Sequence, residues 1–168
     1  DVVRDLLPES SRTDLALAMG HTWAPIVNLH IWYDRPVANF EFAAFVNSPV
    51  QWVFNRTRIA GLPGPGQYLT VSLSAAWDYW PKSKDELREL FIPALADAIP
   101  AAKAATVERF IVVKEQRATF RSPPSDADNR PPALTNIRNL FLAGDWAGVK
   151  AHPAGFHLRE GPHDRGRC

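Results

Sequence analysis

Hydrophobic and polar positions alternate most cleanly at two places along the chain. From Gln67 to Ser74, Leu69, Val71 and Leu73 fall on one side of an extended backbone and Tyr68, Thr70 and Ser72 on the other. From Val27 to Tyr33, Val27, Leu29 and Ile31 oppose Asn28, His30 and Trp32. Each stretch predicts a strand with one face wetter than the other, the earlier one over Ile26 to Tyr33. Phe42 to Val46 and Gln51 to Arg56 are further short apolar runs. Gly61-Leu62-Pro63-Gly64-Pro65-Gly66 is dense turn punctuation, so residues 51–74 predict a hairpin in an antiparallel sheet. Val107 to Phe120 predicts a long strand, with Phe110, Val112 and Lys114 facing one way and Ile111, Val113 and Glu115 the other.

The period changes after Ser83-Lys84-Asp85-Glu86, a capping box in which Ser83 and Glu86 bond each other's backbone. Leu87, Leu90, Phe91, Ala94, Leu95, Ala98 and Ile99 then recur at helical spacing, and Pro93 predicts a kink or an early break. A shorter helix is expected from Ser11 to Met19, capped by Ser10 or Ser11. Residues 122–132 hold four prolines and read as an exposed connector. Asn139 to Trp146 predicts a short apolar strand ending in Gly144-Asp145. The expected fold is α+β, a mixed and mostly antiparallel sheet with a packed helix.

Composition narrows the function classes. The 168 residues are 46% hydrophobic and 22% charged, as in an ordinary globular chain. Nineteen Lys and Arg against 18 Asp and Glu give a net charge of +1, without the basic excess of a nucleic-acid footprint. No run reaches the roughly 18 apolar residues of a membrane helix. The lone Cys168 ends the chain and allows no internal disulfide, in keeping with a cytoplasmic location. The sequon Asn55-Arg56-Thr57 is read as chance in the absence of a secretory signal. Fifteen prolines exceed the usual share of roughly 5%. The six tryptophans and Tyr79 read mainly as core and sheet packing, with an apolar substrate path as the alternative.

Leu140-Phe141-Leu142-Ala143-Gly144-Asp145-Trp146 carries the most chemistry. A glycine at the end of a strand lets the backbone approach a ligand closely, and the aspartate offers a carboxylate acceptor to a ligand hydroxyl. An Asx turn explains a bare Gly-Asp equally well. Taken with Val112 to Phe120 and the proline-rich gap through Arg130-Pro131 and Leu134-Thr135, the segment resembles the C-terminal part of flavin-dependent desaturases in the flavin-containing amine oxidase superfamily. Pro25 to Val37, Ser48 to Arg56 and Gly66 to Ser72 are similar to the squalene-associated branch, the hydroxysqualene dehydroxylases of hopanoid synthesis.

The resemblance implies FAD as cofactor, with Ala143, Gly144, Asp145 and Trp146 returning to the flavin. It implies a substrate-binding portion over residues 1–105 and a return to the FAD-binding domain over 106–146. The family's Gly-x-Gly-x-x-Gly turn is absent from these residues, so the N-terminal Rossmann-type half is expected as a missing partner. The expected substrate is a hydrophobic squalene- or carotenoid-type isoprenoid, with a peripheral contact to the inner face of the membrane. Gln51, Trp52 and Asn55 are the candidate substrate-facing residues; a strand edge turned to solvent is the competing reading for Gln51, Asn55 and Arg56. His30 reads as a packed or surface histidine, and no residue is assigned a catalytic role. The alternatives are a phytoene desaturase-like or amine oxidase-like flavoprotein, or a truncated product without activity.

Residues 147–168 depart from the family, placing Gly and Pro where its closing helix runs. A tail read one nucleotide later is compatible with Ser-Thr-Phe-Glu-Arg-Ala, so a shifted frame is one expectation. A metal site at His152, His157 and His163 is the rival reading, but no helical or Cys-His ligand spacing supports it; no metal is expected.

Overall fold

The computed structural model describes residues 22–121, 130–135 and 137–144, together with Glu9 and Ala147. The helix expected over Ser11–Met19, the connector over 122–129, Asp145, Trp146 and the three tail histidines lie outside the described residues. The chain divides into two compact units, Trp23–Phe120 and the flanking Asp1–Thr22 with Arg121–Cys168.

The first unit is built on a five-stranded sheet in the order β2-β3-β4-β1-β5. Its strands are β1 (Trp23–Tyr33), β2 (Phe42–Ala44), β3 (Trp52–Asn55), β4 (Gln67–Ser74) and β5 (Val107–Phe120), and every pairing is antiparallel. The predicted hairpin forms between β3 and β4, with Trp52 opposite Ser72 and Asn55 opposite Leu69. Its connection holds a single helical turn, α1 (Arg56–Ile59), before the Gly-Pro segment. Phe42 to Val46 yields only a three-residue edge strand, with Phe42 and Val46 exposed.

Alternation in sequence becomes two unlike faces. Val27, Leu29 and Ile31 of β1 lie opposite Leu73, Val71 and Leu69 of β4, and all six are fully buried. The helix α2 (Lys84–Ala98) packs on this face through Leu87, Phe91 and Leu95. Both bonds of the predicted capping box are present, Ser83 N to Glu86 Oε2 at 2.7 Å and Glu86 N to Ser83 Oγ at 3.2 Å. Pro93 does not break the helix early, because Leu95 is buried one turn-half beyond it and holds the last residues in place. Leu90 sits away from the core and is exposed. A 3-10 turn at Pro100–Ala104 then leads into β5. That strand pairs with β1 over most of its length.

Buried polar side chains tie the loop after β1 to the sheet. Gln67 Oε1 accepts from Val37 N and Ala38 N at 2.7 and 2.8 Å, and Gln67 Nε2 donates to Ala38 O at 2.7 Å. Lys114, on the helix side of β5, donates to the carbonyls of Trp80 and Lys82, which anchors the segment before α2.

Two residues at the end of β1 expose the tolerance of this packing. The Tyr33 hydroxyl is buried without a hydrogen-bond partner, and burial pushes its pKa up to about 12. Gly66 lies so close that a Cβ there would stand 2.6 Å from the Tyr33 carbonyl oxygen.

Two outcomes follow for urea unfolding of the 168-residue chain. Tyr33→Phe removes an orphaned hydroxyl and should raise stability by about 1 kcal/mol. The wild type keeps its Tyr33 proton where the unfolded chain releases it, so stability is full below pH 10 and falls as pH rises toward about 12; the Phe variant should lack that component. An unchanged midpoint and an identical alkaline slope would contradict this. Gly66→Ala should cost about 1–3 kcal/mol, since backbone rather than a flexible side chain must yield.

Candidate functional site

Within the Trp23–Phe120 unit no helix covers the second face of the sheet. Its residues follow from parity and register. Phe42 lies opposite Phe54, Phe54 opposite Thr70, Thr70 opposite His30, and His30 opposite Ile111. In the adjacent rows, Trp52 meets Ser72 and Asn28, and Trp32 lies between Tyr68 and Arg109.

The result is an aromatic surface with a polar strip through its middle. Phe42, Trp52 and Phe54 form one cluster, with ring centroids 6.3–6.5 Å apart. Trp32 and Tyr68 stack at 4.2 Å with ring planes 5° apart. Two arginines border the surface, Arg109 over Trp32 at 5.0 Å and Arg56 over Phe54 at 5.8 Å. Ile111 and Val113 extend it along β5. The strip between consists of Asn28, His30, Thr70 and Ser72 on β1 and β4. Here His30 Nδ1 lies 2.6 Å from the Tyr68 hydroxyl, and Thr70 Oγ1 is 3.5 Å from the same nitrogen. Partial burial, and then the Arg56 charge, lower the His30 pKa, so the ring is neutral at pH 7.

The three expected substrate-facing residues do not stay together. Trp52 is on this surface and 43% exposed. Asn55 points to the opposite face and is buried; its Oδ1 accepts from Arg58 N at 3.1 Å to cap α1, and its Nδ2 donates to Ala38 O. Gln51 sits between strands, accepting from Ser74 N at 2.9 Å and donating to Ser74 O. Both polar side chains are thus committed to holding backbone. Trp80 and Tyr79 pack against the core, whereas Trp23 and Trp77 are exposed. Sequence reasoning did not single out Phe42, Phe54 or Tyr68, since these rings meet only through the register of β2, β3, β4 and β1.

The other unit is described at residues 130–135 and 137–144. Here the strand expected over 139–146 is reduced, among the described residues, to a single antiparallel bridge between Leu134 and Phe141. Leu142 N donates to Ala133 O at 2.8 Å, and the Thr135 hydroxyl donates to Leu140 O at 2.8 Å. Leu142 is buried, while Ala143 and Gly144 are exposed. Gly144 has φ 139°, a conformation that a Cβ disfavours, and Ala147 N closes a turn onto its carbonyl at 3.1 Å. A bare, accessible backbone at this point fits the close approach of a flavin. Among the described residues no group of three His, Cys, Asp or Glu is placed to hold a metal, and no helix is long and apolar enough to cross a membrane.

Comparison with known proteins gives the following similarities. The chain is 26% identical to a 15-cis-phytoene desaturase of an Oncidium hybrid, over 89% of the chain and 28% of that protein. It is 29% identical to a hydroxysqualene dehydroxylase of Zymomonas mobilis, over 86% of the chain and 31% of the relative. It is 27% identical to a carotenoid phi-ring synthase of Chlorobaculum tepidum, over 76% of the chain and 21% of the relative. The chain therefore spans less than a third of the length of these relatives. FAD is the cofactor implied by the family whose pattern matches residues 4–154, and through that match the chain belongs to the flavin-containing amine oxidoreductases.

Proposed function

We propose that the chain is the C-terminal portion of an FAD-dependent oxidoreductase acting on an isoprenoid, in the manner of a hydroxysqualene dehydroxylase. The observation that carries this reading is the uncovered aromatic face. An antiparallel sheet usually presents polar side chains on its second face, whereas here Phe42, Trp52, Phe54, Trp32 and Tyr68 occupy it, several of them half-exposed. Contiguous exposed apolar surface of this kind marks a binding site. Phytoene, carotenoid and hydroxysqualene stand in the names of the relatives quoted above, in keeping with a long apolar ligand.

When bound, FAD supplies the hydride chemistry. The described residues contribute binding, orientation and exclusion of water. The aromatic rings hold the hydrocarbon, and the Arg56 and Arg109 guanidinium groups border it. Ala143, Gly144, Asp145 and Trp146 are the proposed approach to the flavin, the glycine leaving room for close backbone contact. On this reading residues 1–105 serve the substrate, 106–146 return to the flavin domain, and a Rossmann-type half outside the 168 residues completes the cofactor site. Such a substrate would be drawn from a membrane by peripheral contact. The match to phytoene desaturases over 89% of the chain favours a second reading, desaturation of a hydrocarbon at the same surface.

Titration calorimetry of the 168-residue chain with farnesene, a purely hydrocarbon isoprenoid, tests the surface. Trp52→Ala should weaken binding roughly five- to thirtyfold, the loss expected for truncating a half-buried aromatic contact. Leu90→Ala, on the exposed side of α2, should leave binding unchanged. Equal weakening by both variants, or by neither, would overturn the assignment of the face.

A further inference from the structure

An apolar surface alone gives a hydrocarbon chain no fixed position, because hydrophobic contact is non-directional. The polar strip through this one has a specific chemistry. Tyr68 and His30 are bonded at 2.6 Å. A neutral imidazole carries its proton on one nitrogen and accepts at the other, and a phenol can donate or accept, so the tautomer decides the direction of the Tyr68 bond. With Nδ1 accepting, the proton of His30 stands on Nε2. No protein group partners Nε2 among the described residues. Among the described residues the Tyr33 hydroxyl is the single buried side-chain polar atom without a partner, so the unpartnered Nε2 is not sealed from solvent. The groups facing the ring are Tyr68 and Thr70 from β4, Trp32 on its own strand at 6.4 Å, Ile111 from β5 and, at longer range, the Arg56 charge. No carboxylate competes for the donor among these.

We infer that His30, held by Tyr68, is a specificity residue that recognises one hydroxyl oxygen on an otherwise hydrocarbon isoprenoid lying across the aromatic face, with Nε2–H as the donor. The inference rests on the reading of this face as the isoprenoid surface, and it selects an isoprenoid alcohol over a hydrocarbon as ligand. Tyr68 is a positioning residue: its hydroxyl fixes the tautomer, and its stacking on Trp32 fixes the phenol. Asn28 and Ser72 continue the strip and offer a hydroxyl further polar neighbours on one side only, so the alcohol has a defined place along the sheet. A hydrocarbon over the same spot would leave Nε2–H desolvated and unpaired, which is the usual origin of discrimination against a ligand lacking a polar group.

The test pairs farnesol with farnesene, which share the C15 skeleton and differ in the hydroxyl. Titration calorimetry on the 168-residue chain should show farnesol binding roughly three- to tenfold more tightly, the range of one net hydrogen bond. His30→Leu should equalise the two ligands. His30→Gln, whose amide nitrogen reaches close to the place of Nε2, should retain the preference. Ring nitrogen NMR of the wild type needs no variant: the Nε2–H tautomer should be present, and Nε2 should shift with farnesol and not with farnesene. Equal affinities in the wild type would overturn the hydroxyl site while leaving the isoprenoid surface standing. Binding of neither ligand would overturn both.

Discussion

One helix covers one face of a five-stranded sheet, and the rest of the unit follows from that asymmetry. Successive side chains on a strand point to opposite faces, so what α2 buries and what it leaves free are chemically independent. On the covered side, Val27, Leu29, Ile31, Leu69, Val71 and Leu73 meet Leu87, Phe91 and Leu95. Burying an aliphatic side chain of this size is worth about 1.5–3 kcal/mol before entropy, so the stability of the unit resides on this side. The other side is released from that role, and the proposed ligand contact accounts for its aromatic content.

Polar groups inside the unit work mainly as fasteners. Gln67 and Asn55 converge on the Ala38 carbonyl from neighbouring strands, which binds the loop after β1 to the edge of the sheet. Gln51 grips the backbone of Ser74 in both directions. Each takes up hydrogen-bonding capacity of the backbone it holds, and at Val37 that group is buried and would otherwise be costly. Their polar chemistry is therefore spent, in contrast to Nε2 of His30, and the distinction between a fastener and a recognition group is a matter of which hydrogen bonds remain unmade.

Local signals carried much of the fold. The alternation in β1 and β4, the capping box at Ser83 and the Gly-Pro turn between β3 and β4 are all short-range features, and each appears in the structure. Pro93 lies inside α2 without ending it early, because the burial of Leu95 beyond it is a tertiary effect that local propensity does not encode. Phe42 to Val46 reads as a strand but lies at the sheet edge, where only three residues pair. The site was less legible. Parity within β3 already separates Trp52 and Phe54 from Val53 and Asn55, so Trp52 and Asn55 cannot share a face; that signal was present and unused. The meeting of Phe54, Thr70, His30 and Ile111 in one row depends on the register of four strands, two of them far apart in sequence, and no local pattern encodes it.

The two halves of the functional reading differ in the same way. Gly144 is legible as a motif because the role proposed for it needs only its own backbone, a φ of 139° that admits no easy substitute. The ligand surface has no motif because it is a property of pairing. A flexible polyene on such a surface gains contact area wherever it lies, and sliding by one isoprene unit costs little. Hydride chemistry, by contrast, needs one carbon at one place. In the proposed arrangement a directional contact in the middle of an apolar face would resolve that conflict: the rings would supply affinity, and a single hydrogen bond would fix the register. On this face the bonded His30–Tyr68 pair combines a fixed orientation with an unpartnered, accessible ring nitrogen.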